Sequence, residues 1–95
     1  MYDNALQNEV LALFHQQLLT ARSQIEAMNA EKRRDLAHCL VGAARAVGAF
    51  PLARILAELS VDPSSKLIVE RILKQTDSLI PHLVELMKPR GVAKG

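Results

Sequence analysis

Tryptophan is absent from this chain, and aromatic residues make up only 3% of it. A core without large rings must be assembled from Leu, Ile, Val and Ala, a palette that favours helices over a sandwich or barrel. The same shortage removes the stacking platforms that single-stranded nucleic acids need. Charge of one sign is lacking too. The net charge of +2 is far from the clustered basic footprint of a nucleic-acid binder, so no nucleic-acid partner is expected. One cysteine, Cys39, cannot form an internal disulfide and fits a reducing compartment. No apolar run approaches the ~20 residues that span a bilayer. The opening "MYDNALQNEV" carries acidic and amide residues where a secretory leader has a basic stretch. A cytoplasmic chain with no membrane partner is the expectation. A Gly-rich phosphate loop is missing as well, which argues against a nucleotide-binding kinase core.

What remains is a chain of 95 residues with 49% apolar content, enough for a single packed domain. Four segments have helical periodicity. In the first, Asn4 and Gln7 have capping-box spacing, and Leu11, Phe14, Leu18, Ala21, Ile25 and Met28 recur at three- and four-residue steps. Asn29 caps a second segment, from Ala30 to Val47, that ends at Gly48 ahead of Pro51. The third is "PLARILAELS", with Leu52, Ile55, Leu56 and Leu59 inward. Asp62 as N-cap and Pro63 at the first helical position open the fourth. There Val69, Ile72, Thr76, Leu79, Leu83 and Leu86 form the stripe, and Pro81 is expected to kink or interrupt it. The prediction is all-α: an antiparallel, up-and-down four-helix bundle with short loops over residues 1–88, and a frayed basic tail at 89–95.

One histidine stands out against this background. In "DLAHCLVGAARAVGAF" (residues 35–50), His38 sits in a run of small apolar residues. If Leu36, Leu40, Ala43 and Val47 form the core stripe, His38 falls about 160–180° away from it. Its outer-face neighbours are Arg34, Asp35, Val41, Gly42 and Arg45. Gly42, one turn on, disfavours the helix by up to ~1 kcal/mol relative to alanine and leaves the imidazole clear of a neighbouring side chain. Arg34 and Arg45 flank it on nearly the same line, and cations beside an exposed imidazole suit an anion, phosphate above all. The plain alternative for both arginines is a solvated helix face.

Other candidates carry less. His15 beside Phe14 reads as a boundary residue, and His82 after Pro81 as a structural one. His38 and Cys39 diverge by about 100° as adjacent helical residues and lack supporting ligands, so no metal site is expected. Cys39 has no assured base and reads as a partly buried small residue.

The stretch from His38 to Ala49 resembles the signature of histidine-containing phosphotransfer (HPt) domains. That pattern is His, any residue, Leu, Lys, Gly, small residues, then a Gly-Ala pair opening a Leu-rich helix; here it reads His38, Cys39, Leu40, Val41, Gly42, Ala43, Ala44, and later Gly48, Ala49. The resemblance spans about Leu6 to Leu86, with its specific core in residues 37 to 59. It implies a four-helix bundle whose His38 accepts a phosphoryl group from a receiver-domain aspartate and passes it to another receiver. Response-regulator receivers or a hybrid histidine kinase would be the partners, in a two-component phosphorelay. The magnesium ion would belong to the receiver, so no cofactor is implied here. Such a protein is a stoichiometric carrier rather than an enzyme, and a monomer is expected. One position departs: the family's lysine, three residues after the histidine, is Val41. Arg34 and Arg45 are the candidate replacements beside the phosphate. The alternative is an HPt-like module that docks on a receiver or kinase through Gly42 and an exposed Val41 without relaying phosphate.

Overall fold

A computed structural model describes residues 4–87, with side chains from residue 8 onward. Four α-helices account for most of it: α1 (Asn4–Gln24), α2 (Ala30–Ala46), α3 (Phe50–Val61) and α4 (Lys66–Met87), with a 3-10 turn at Ile25–Ala27 between the first two. Among the described residues there is no strand. The main packing pairs are α2 with α3, α1 with α4, α3 with α4, and α1 with α2, which closes the helices into a four-membered ring. Short connections make each neighbour antiparallel, as expected of an up-and-down bundle. The expected tail at 89–95 and the side chains of the Asn4–Gln7 pair lie outside the described residues; Asn4 is itself the first helical residue of α1.

Local chemistry accounts for each boundary. The Asn29 side chain accepts a hydrogen bond from the Lys32 amide at 2.8 Å and starts α2 as a cap should. At the other end of α2, Gly48 takes φ +83. Its amide bonds to the Arg45 carbonyl, and the Ala49 amide to the Ala44 carbonyl at 2.8 Å. That pair of reverse bonds is a Schellman motif, which needs a left-handed residue at the position glycine occupies. Pro51 then stands in the first turn of α3, where a missing amide hydrogen costs nothing.

The start of α4 corrects the sequence expectation. Asp62 ends α3, its amide bonded to the Glu58 carbonyl, and Pro63 lies buried in the turn rather than at the first helical position. The cap is Ser65, whose hydroxyl accepts from the Ile68 amide at 3.2 Å. Pro63 is held there because its carbonyl accepts a hydrogen bond from Arg33 of α2. The same half-buried guanidinium also donates to the carbonyls of Ile25 (2.9 Å) and Glu26 (3.0 Å). One side chain thus ties the α1–α2 turn to the α3–α4 turn at the same end of the bundle.

The core contains Leu11, Phe14, Leu18 and Ile25 from the first segment, Leu52, Leu56 and Leu59 from α3, and Val69, Ile72 and Leu83 from α4. On α2 the fully buried residues are Ala37, Leu40 and Ala44, while Leu36, Ala43 and Val47 sit at the shoulder. The buried stripe is therefore rotated by about 60° from the one predicted. Close approach to α3 is the reason, since two alanines admit a neighbouring backbone where leucine and valine do not. α4 runs unbroken through Pro81, which is exposed, so the carbonyl deprived of its partner can turn to water. Leu86, expected inward, is 48% exposed. Glu58 of α3 pairs with Arg71 of α4, and counting back from that pair leaves the last turns of α4 beyond the start of α3.

Candidate functional site

α2 is anchored at both ends, by the Asn29 cap and the Arg33 bonds below and by the Gly48 motif above. His38 lies midway between them, fully on the exposed face. From the observed stripe of Ala37, Leu40 and Ala44 it stands about 130° away, less than predicted but still outward. Among the described residues it has no hydrogen bond or ion pair, and neither have Arg34, Asp35 or Arg45, all exposed. The imidazole is held by its helix alone.

Gly42 is the second element of the site. A Cβ built on it would meet nothing within 4 Å. Packing inside the bundle therefore gives no reason for glycine at this helical position. The clearance opens onto solvent, one turn beyond His38.

Two expected neighbours are placed differently. Val41, expected on the outer face, is half-buried against the core. Rotation of the stripe carries it toward the core, so only part of its side chain is presented to solvent. Cys39 is exposed rather than partly buried, because the same rotation moves it toward α1. There it borders a shallow groove with Leu13, Gln17, Thr20 and Leu36. His15 is half-buried on α1 and His82 exposed on α4, and neither joins His38. Among the described residues no group of three His, Cys, Asp or Glu is arranged to hold a metal ion.

One stretch of the chain, which includes the upper half of α2, is free of acids. From Leu36 to Ala57 the chain has no carboxylate, and its cations are Arg45 and Arg54. Arg54 is exposed on α3, one turn after Phe50, which is 63% exposed. Sequence reasoning passed over both; the signal was the acid-free run itself. Below His38 the picture differs, with Glu31 and Asp35 on the same turns as Arg34. The elsewhere prominent ion pairs, Arg22 with Asp77 and Arg71 with Glu58, belong to α4 and its neighbours and not to this face. Arg22, hydrogen-bonded to Asp77, holds that carboxyl below the usual carboxylate range.

On this face the arrangement offers an imidazole with open access and cations along the same helix, with no enclosed pocket among the described residues. An exposed imidazole and guanidinium groups are side chains that can bind a small anionic group. Comparison of the chain with models of protein families, with curated proteins and with solved structures returns no match.

Proposed function

We propose that this chain is a histidine phosphotransfer protein of the HPt type, with His38 as the phosphoacceptor. The observation that carries the reading is an unpartnered, exposed imidazole midway along a bundle helix, beside a glycine whose Cβ position is open space. A ring nitrogen attacks the phosphorus of a receiver's aspartyl phosphate. The N–P bond forms as the P–O bond breaks, and the aspartate carboxylate leaves. The reverse sequence delivers the group to a second receiver. Such transfer depends on positioning and charge neutralisation more than on acid–base machinery in the carrier. In such a transfer the receiver's magnesium ion would supply most of that neutralisation. Arg34 and Arg45 are the chain's own cations on the His38 face, and Gly42 is the clearance. The cytoplasm is the compartment in which such relays operate.

A second reading is an HPt-like module that docks without relaying. Val41 favours it, since an apolar, half-buried residue replaces the lysine expected beside the phosphate. The test is transfer from a panel of phosphorylated receivers to the wild type and to His38→Ala. Acid-labile label on the wild type and none on the folded variant is the expected result. Receiver binding without label on either protein overturns the relay in favour of docking.

A further inference from the structure

Resting on the reading of His38 as phosphoacceptor, we infer that the two arginines of its face divide the work: Arg34 holds the phosphoryl group, and Arg45 grips the partner. Helical side chains tilt toward the N-terminus of their helix, so a residue covers the turn that precedes its own Cα. A phosphoryl group on His38 therefore lies over the turn of Arg34, four residues earlier and about 6 Å down the axis. Residues at this spacing are surface neighbours. Arg34 is exposed and has no partner among the described residues, so its guanidinium is free to turn to a new dianion. Glu31 and Asp35 lie on the same stretch, and neither is paired with it among the described residues.

Arg45 is placed for something else. It stands seven residues beyond His38, about 10.5 Å up the axis and nearly twice as far as Arg34. Gly42 leaves the space between them empty. Arg45 instead belongs to the acid-free run from Leu36 to Ala57, together with Arg54 and the exposed Phe50. An exposed aromatic side chain with a cation one turn on, in a run that carries no acid, fits a carboxylate-bearing protein surface, with the ring as the apolar contact.

The experiment separates the two roles by phosphorylating the protein without a partner. A small phosphoramidate is the donor: the His38 nitrogen forms its N–P bond as the donor's N–P bond breaks and ammonia leaves. The lifetime of the phosphohistidine and the pH titration of its phosphorus resonance are then followed in the wild type, Arg34→Gln, Arg34→Lys and Arg45→Gln. A nearby guanidinium favours the dianion, and protonation speeds loss of the group. Arg34→Gln is expected to shorten the lifetime about three- to fivefold and to raise the phosphoryl titration point, with partial rescue by Arg34→Lys. Arg45→Gln is expected to leave both unchanged while raising the receiver concentration needed for half-maximal transfer, more so at low salt. Equal lifetimes and titrations in wild type and Arg34→Gln overturn the assignment while leaving the relay intact. A wild type that takes phosphate from the donor but exchanges it with no receiver overturns the relay, with the Arg34 result still readable.

Discussion

The α2–α3 hairpin and the α1–α4 pair are built on different plans. α1 and α4 are long, meet through larger apolar side chains, and carry the Arg22–Asp77 ion pair across their seam. α2 and α3 are shorter and pack most extensively, with Ala37, Ala44 and Ala53 almost wholly buried. Small residues at a helix contact bring backbones close and leave little freedom to slide. The hairpin thus gains a firm platform from its inner face, while its outer face carries His38 with no internal obligations. Packing occupies one side of the helix, and the proposed phosphoacceptor stands on the other.

Four substitutions break or sharpen that contrast. The largest effect is expected from Ala44→Leu, which inserts a side chain where α2 and α3 meet; destabilisation of about 2–3 kcal/mol should appear as a lowered denaturation midpoint. Gly48→Ala forces a Cβ into the left-handed region and should cost about 1–2 kcal/mol by the same measurement, with the α2–α3 turn as the site of damage. Gly42→Ala has the opposite sign. Its Cβ meets nothing, so helix propensity alone should raise stability by up to about 1 kcal/mol, seen as a higher Tm. Phosphorylation of His38 by a small donor should be unaffected, while transfer from a receiver slows.

The smallest effect belongs to the long pair. Arg22 hydrogen-bonds Asp77 and lowers its pKa, so the Asp77 contribution is present at neutral pH and is lost as pH falls through the depressed value. Both side chains are about half exposed, so the term is modest and screened by salt. Arg22→Gln should remove a small stability increment at pH 7 and none below the depressed Asp77 titration, as measured by denaturant titration at several pH values.

Much of this was legible in the sequence, and for identifiable reasons. Asn29, Gly48 and Pro51 act through their own backbone positions, so their neighbours hardly matter, and the helices they bound fell where expected. Asp62 and Ser65 are both competent caps. The choice between them was made by Arg33, thirty residues away in sequence from the Pro63 carbonyl it holds, which no local pattern encodes. The stripe of α2 was misplaced because leucine and valine weigh more than alanine in any hydrophobic pattern, whereas the distance to α3 rewards the smaller residue. His38 survived the resulting rotation because it started far from the core edge. Val41 and Cys39, closer to that edge, did not.

The fastening of α2 at both ends has a kinetic consequence. Helix ends normally open in short local excursions, and their amide hydrogens exchange through them. Here the lower end is stapled by Arg33 and the upper by the Gly48 motif, and His38 is more than one turn from either. Amides around residues 38–42 should then exchange only when the whole bundle opens. On the proposed reading, a receiver approaching this surface would meet a backbone already ordered, with little ordering entropy left to spend at the moment of encounter.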